Sequence, residues 1–383
     1  MSKKKERIAY VDPQSMINLA KYDYYLLRDI DMDIHYFCSK QYDFEVNPRI
    51  SYRKVFSYNK MEHNWQKAIS YVWSWMLILV FILRLQPKVV HIQWFRIPRF
   101  DYFIVCILRY IFKIKVVYTA HNILPHQGNE HASAKTFRKA YHAFDRVIVH
   151  SQTTKDELVT LFNIDARKVK VIRHGILPFN ISDETYKKCA EEYDKKYASL
   201  KGKTIFTSLG FQNYYKGTDL LAKAWTSTPS LCQNSDCMLL IIGKVNDTSM
   251  DLSMLKGIKN VIFDNRRVSD EEFVYLLRHT DVYVLPYREI SQSGAMLTIL
   301  TEHVPMLLTD VGALAEPLSI ARIGWKLRDA NEQDIKESLL RLVDNKEEIL
   351  AIKNDSQAWE KVCLFYDWKH ISEQTQQLYE SLF

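Results

Sequence analysis

The apolar positions of this chain follow two rhythms. Short continuous runs bounded by polar residues read as buried strands: RIAYVD, IHYFCS, VVHIQW, KVVYTAHN, RVIVHS and VKVIRHG in the first half. Between them lie stretches with apolar residues three and four apart, SMINLAKYDYYLLRDI, FDYFIVCILRYIFK, KTFRKAYHAF and TTKDELVTLF, which read as helices. The second half repeats the plan. Its strands are TIFTSLG, MLLIIGKV, VIFDN, VYVLPY and PMLLTD, and its helices GTDLLAKAW, SDEEFVYLLRHT, GAMLTILTE and EQDIKESLLRLVDN. Alternation of this kind implies an α/β fold with parallel sheets covered on both faces. Two such domains, 1–180 and 181–365, are expected to meet where ISDETYKKCAEEYDKKYASLKGK is charged and poor in large aliphatics. A last helix within 366–383 can pack on either domain.

Composition supports this division. A chain of 383 residues exceeds one ordinary core, and its 47% apolar and 25% charged content is that of a globular protein. The six cysteines show neither C-x-x-C pairing nor zinc-ligand spacing, so they read as buried thiols of a reducing compartment. MSKKKERIAYVD lacks the apolar segment of a signal peptide. A cytoplasmic chain is therefore expected, with the glycosylation sequons at Asn180 and Asn246 coincidental.

Charge is uneven. Residues 1–180 hold 28 Lys and Arg against 15 Asp and Glu, and the rest hold 24 against 30. Between His63 and Asn129 the one acid is Asp101, against eight basic residues: Lys67, Arg84, Lys88, Arg96, Arg99, Arg109, Lys113 and Lys115. The same segment carries Trp65, Trp73, Trp75, Trp94 and the most apolar run, Ile69 to Leu85. That run is at the short edge for a membrane span and leads directly into a buried strand pattern, so it reads as a core-facing or interfacial helix. Its basic residues flank apolar helices and not an exposed aromatic strand. An anionic membrane surface is thus the expected partner, and nucleic acid is not.

Ligands of open α/β sheets bind beyond the carboxyl ends of the strands. In the second half those ends carry GFQNYYKG, from Gly210 to Gly217, and the tetrad Ser291-Gln292-Ser293-Gly294. With 10 glycines in the chain, under half the usual ~7%, a glycine between two small hydroxyls at a strand-to-helix junction stands out. A helix N-terminus receives anions, Gly294 would let one approach the backbone, and Lys216 would add a point charge. Ordinary capping accounts for a serine at that place without any ligand. Asp29, Asp31 and Asp33 imitate a metal-binding D-x-D but precede a strand, and read as surface charges. No metal and no cofactor are expected.

The stretch DVYVLPYREISQSGAMLTILTEHVPMLLTDVGALAE resembles the nucleotide-sugar site of retaining GT-B glycosyltransferases of the family-four type, notably the subgroup reading PYR-x-x-SQSG before a TDVG loop. GFQNYYKG is similar to that family's G-x-x-x-x-x-K-G loop, VVYTAHNILPH to its histidine-bearing loop, and VIVHS and VIRHG to its cleft-lining strand ends. The resemblance implies two Rossmann-like domains with parallel sheets facing across a cleft. It implies that Lys216 binds the donor diphosphate, that Gly210 and Ser291, Gln292, Ser293 and Gly294 hold phosphate and sugar, and that Glu316 lies near the donor loop. His121 would face the reacting sugar as the catalytic residue, with Asn122, His126, Arg173 and His174 lining the cleft or acceptor side. His91 reads as a core or cleft-lining residue. The substrate implied is a nucleotide-diphosphate sugar and the acceptor a glycan, lipid-linked, in cell-surface polysaccharide synthesis on the inner membrane face.

The sequence also departs from the family. Its two glutamates, eight apart, fall here on Ser291 and Ile299, and the arginine that often precedes the lysine is missing from Phe211 to Tyr215. Arg288, Arg266 and Arg173 are the candidates to compensate. A nucleotide-sugar epimerase of the same plan and a non-catalytic member of a polysaccharide-assembly complex are the rival readings.

Overall fold

The computed structural model describes residues 5–42, 44–124, 130–247 and 249–383, with only the backbone of 17–19 and 130–133. The chain divides into two compact units, Met1–Gly175 joined by Tyr366–Phe383, and Ile176–Phe365.

In the first unit seven parallel strands form one sheet: β1 (Arg7–Val11), β2 (Asp33–Ser39), β3 (Ile50–Phe56), β4 (Val89–Ile92), β5 (Lys115–Thr119), β6 (Arg146–Val149) and β7 (Val169–Val171). Their order is β3-β2-β1-β4-β5-β6-β7. The second unit has six: β8 (Thr204–Leu209), β9 (Cys237–Ile242), β10 (Val261–Asp264), β11 (Val282–Leu285), β12 (Met306–Thr309) and β13 (Gly324–Leu327), in the order β10-β9-β8-β11-β12-β13. Each order reverses beside its first strand, the doubly wound pattern that opens a crevice at the carboxyl edge.

β3 and β13 have no counterpart in the sequence reading, and both are edge strands. In β3 only Ile50 and Phe56 are buried, because an edge strand covered on one side tolerates the polar Ser51, Arg53 and Lys54. The charged stretch between the domains is largely the helix Asp183–Lys196, which buries none of its residues and is capped by Ser182.

Helix α1 (Ile17–Arg28) carries the last helix of the chain, Trp368–Glu380, against it. Trp368 stacks on Tyr25 and meets Tyr22 edge-on, and the Ser372 hydroxyl donates to the Leu26 carbonyl at 2.7 Å. Gly175 has no room for a side chain, because a Cβ there would enter the Trp368 indole. Helix α2 (Asn64–Leu85) is the apolar run seen in the sequence. Tyr71, Trp75, Ile78 and Ile82 face the core, while Trp65, Ile69, Trp73, Val80 and Leu83 are exposed on the other side. By length and apolar content it could cross a membrane, yet one face of it is part of the unit's own core.

Candidate active site

The carboxyl ends of β1, β4, β5, β6 and β7 lie side by side, so the polar residues that follow each strand meet. His121, His150 and His174 gather there around Tyr22, whose ring lies 5.1 Å from that of His121 and 4.7 Å from that of His174, and His91 lies beside them against Tyr10. His121 also stacks on Trp94, ring centroids 4.4 Å apart and planes 11° off parallel. Burial keeps all four imidazoles neutral: His91 and His174 fall to about 3, His150 to about 4, and His121 well below its ordinary value.

Neutral imidazoles have one donor and one acceptor each, which fixes their pairing. His150 Nδ1 lies 2.9 Å from the Ile172 carbonyl and must donate to it. Its Nε2 is then an acceptor, so His121 donates from Nδ1 across 3.2 Å. His121 Nε2 in turn needs a donor, and the Gln93 amide is its neighbour at 2.8 Å. The half-turn that sets the Gln93 NH2 group toward His121 and its oxygen toward His91 Nε2, 3.0 Å from that amide end, gives every donor an acceptor. His91 Nδ1 closes the series by accepting from the Tyr379 hydroxyl at 2.6 Å. Both ring nitrogens of His121 are therefore held by protein groups.

Asn122 follows His121 in the same loop and is half-buried, as are Arg173 and His174 after β7, where His174 Nδ1 donates to the Gly175 carbonyl at 2.8 Å. His126 lies outside the described residues. Gln93, Tyr379 and Thr119, whose hydroxyl lies 2.7 Å from His91 Nε2, are partners that the sequence did not reveal. The spacing of His91 and Gln93, two apart on one strand and so on one face, was the available signal for the first.

Beside this cluster, Asp12 ends β1 and Asp23 projects from α1, each 1% exposed. They share a hydrogen bond, and Asp23 also accepts the hydroxyls of Tyr10, at 2.5 Å, and Tyr36. Burial, then the neighbouring Asp23 carboxylate, pushes Asp12 well above the carboxylate range, so Asp12 carries the proton between them. Sealed in this way, the pair offers no acid or base to a substrate. Asp29, Asp31 and Asp33 pair with Arg28, Lys5 and Arg7.

In the second unit three loops converge after β8, β11 and β12. Gly217, with φ of 68°, lies so close to the Pro286 carbonyl that any Cβ would collide with it. Gly312 is held in the same way against the Ile290 carbonyl, and Ala313 N donates to the Ser291 carbonyl at 3.1 Å. Gly294 differs. Its φ is ordinary for any residue, and a Cβ would meet no protein atom within 4 Å. Ser293 is the N-cap of the helix Gly294–Ile299, accepting from Met296 N at 3.2 Å, and is buried. Ser291 and Gln292 are half-buried, Gly294 is exposed, and Gly210 ends β8 with φ of 86°. Glu316 begins the helix Glu316–Ile320 after the Gly312 loop.

The cations of this region are unequal. Arg288 is bidentate to Asp219, at 2.8 and 2.7 Å, and Arg266 is held by Glu272 and Asp264. Neither can replace the missing arginine without leaving its carboxylate. Lys216 has no carboxylate partner among the described residues. Its ammonium lies 5.9 Å from the centre of the Tyr287 ring, and burial lowers it to about 8. Ile299 is fully buried, so the position of the family's second glutamate is a core position here.

Residues 26–177 match the family described as Glycosyltransferase Family 4, and residues 202–345 match Glycosyl transferases group 1. An uncharacterized glycosyltransferase of Methanocaldococcus jannaschii is 22% identical over 254 residues, which are 63% of this chain and 63% of that relative. Three solved structures share the fold across both units. Sucrose-phosphate synthase of Thermosynechococcus elongatus has a TM-score of 0.72 at 14% identity, covering 99% of each chain. A glycosyltransferase of Rickettsia africae has a TM-score of 0.68 at 15% identity, again covering 99% of each. Anabaena HepE in complex with UDP has a TM-score of 0.67 at 13% identity, covering 98% of this chain and 100% of that one. The two units thus match two glycosyltransferase family models in turn, and the fold is GT-B.

Proposed function

We propose that this protein transfers a sugar from a nucleotide-diphosphate sugar to a glycan acceptor, lipid-linked, with retention at the anomeric carbon. The observation that carries this reading is Lys216: a half-buried ammonium with no carboxylate partner among the described residues, in a loop whose Gly217 abuts the strand end leading to Ser291. A cation kept in that state is stabilised by an anion from outside, and the diphosphate of a nucleotide sugar is one. The solved complexes of Anabaena HepE with UDP and with UDP-glucose favour such a donor. Ser291, Gln292 and the backbone at Gly294 would meet the phosphate and sugar, with Gly210 and Glu316 at the border of the donor loops and Ser293 holding the helix as its cap.

In the reaction, the bond between the anomeric carbon and the diphosphate oxygen breaks while the acceptor hydroxyl attacks from the same face. Its proton passes to the departing phosphate oxygen, and the Lys216 ammonium offsets the charge that develops there, without a metal ion. His121, neutral and held at both nitrogens, orients the sugar and exchanges no proton. Asn122, Arg173, His174 and His126 are assigned to the acceptor side. The sealed Asp12–Asp23 pair argues against the epimerase reading, which needs reachable carboxyl groups at the sugar. The exposed apolar face of α2, in the basic half of the chain, supports docking on an anionic membrane at the cytoplasmic side and a role in surface polysaccharide synthesis.

The test is a thermal-shift series with UDP-, GDP-, ADP- and dTDP-sugars, followed by an assay of slow donor hydrolysis. A shift with one sugar nucleotide, and its hydrolysis, supports a transferase. Binding without any turnover favours the non-catalytic alternative, and no shift with any of them removes the donor site.

A further inference from the structure

At the amino end of the first sheet, opposite the histidine cluster, a cavity of about 430 Å³ lies between β1, β2, β3 and the last turns of α2. Its lining is basic: Arg7, Arg53 and Arg84 with His35, against the single carboxylate of Asp33. Arg7 is engaged, donating to the Leu85 carbonyl at 2.9 Å and lying 3.5 Å from Asp33. Arg53 and Arg84 have no carboxylate partner among the described residues. Arg53 projects from the edge strand, on the face it shares with Val55, and its guanidinium lies 4.5 Å from the centre of the Phe81 ring. Its Nε is buried without a hydrogen-bond partner, and so is Nδ1 of His35.

These groups together describe a ligand. His35 Nε2 is 3.3 Å from Asp33, and its Nδ1 is sealed in the wall without a partner. Three arginines against one carboxylate leave two uncompensated positive charges. A phosphate group supplies oxygens for the guanidinium ends of Arg53 and Arg84, with His35 in the wall beside them. A hydrophobic ligand would leave all of these unsatisfied. We propose that the cavity between β3 and the end of α2 binds a phosphate group, held by Arg53 and Arg84 beside His35. Leu83 and Arg84 belong to the exposed face of α2, so the phosphate can come from a small phosphomonoester or from a phospholipid head group.

The experiment separates this site from the donor site by using Lys216→Ala as the parent protein. Calorimetry with inorganic phosphate forms one arm. Sedimentation with phosphatidylcholine vesicles, with and without phosphatidic acid, forms the other. Arg53→Met retains an aliphatic stem over Phe81, and Arg84→Gln alters an exposed side chain, so both variants should fold. The proposal expects each variant to lose about tenfold or more in affinity, in the phosphate arm for a soluble ligand or in the phosphatidic acid arm alone for a lipid. Absence of binding in both arms, or binding indifferent to both variants, overturns it.

Discussion

Tyr379 of the last helix donates its hydroxyl to His91 Nδ1 at 2.6 Å, joining the end of the chain to a strand 288 residues earlier. Through His91, Gln93 and His121 this contact sets one proton position after another as far as the Ile172 carbonyl. The arrangement keeps His121 neutral with its proton on Nδ1. Long-range proton–nitrogen spectra of labelled histidine should show that tautomer, with no titration between about pH 5 and 8. Gln93→Glu replaces the donor to His121 Nε2 with a carboxylate, and should bring His121 into the ordinary titration range. A His121 that titrates in the ordinary histidine range in the unaltered protein would mean the series is not formed.

The Asp12–Asp23 pair makes a prediction about pH and stability. Asp12 has its folded pKa raised above its unfolded value, so the folded state holds this proton more tightly. The favourable contribution is full below the unfolded carboxylate range and is lost as pH rises toward the folded value. Asp12→Asn keeps an acceptor for Gln14 N, now 2.6 Å from Oδ1, and a donor to Asp23, yet has no proton to lose. Its stability relative to the parent should therefore grow between pH 5 and pH 8, by at most about 1.4 kcal/mol per pH unit. Urea unfolding at the two pH values measures this. A constant difference would show that Asp12 ionises normally.

The strands legible in the sequence were those with a continuous apolar run, most of them buried on both faces, while β7 and β10 keep such a run at the sheet edges with only partial burial. β3 and β13 were hidden because edge strands can be polar, and Arg53 in β3 reads as a surface residue until the cavity beneath α2 is seen. The loops after β8 and β12 stood out in the sequence through glycines that answer local demands, such as the Pro286 carbonyl against Gly217. The partners of His121 did not, since Gln93 and His150 reach it by tertiary packing that no spacing encodes. Nor does the sequence tell Lys216 from Arg288. Only the Asp219 carboxylate, at 2.7 Å from Arg288, reveals that one of the two cations is already paired.

Lys216 is the next test. A charge-assisted bond contributes about 1.5–3 kcal/mol, so Lys216→Ala should weaken UDP binding on the order of ten- to a hundredfold. Because burial lowers this ammonium to about 8, the parent protein should lose affinity as pH rises through that value, and Lys216→Arg should not. Calorimetry from pH 6.5 to 9.5 decides. Equal affinity for the parent and Lys216→Ala would take the diphosphate away from this loop.

The outer face of α2 carries the last prediction. Trp65 (63% exposed), Ile69, Trp73 (64%), Val80 and Leu83 recur at helical spacing on the side away from the core. Phe103, Tyr110 and Ile111 of the following helical segment are exposed as well. Not all the nearby basic residues are available to lipid, since Arg109 and Lys115 share Asp145. Lys67, Arg84, Lys88, Arg96, Arg99 and Lys113 remain without a carboxylate partner among the described residues, and each that faces an anionic surface is worth about 1 kcal/mol there. Apolar insertion adds to this and, unlike the charges, is not screened by salt. Vesicles with anionic lipid should therefore bind the protein strongly at low salt and partly at high salt. Ile69→Ser with Trp73→Ser should abolish the salt-resistant part without unfolding the chain, because neither side chain enters the core. Binding that the double variant leaves intact, or that neutral vesicles reproduce, would reduce this face to ordinary surface.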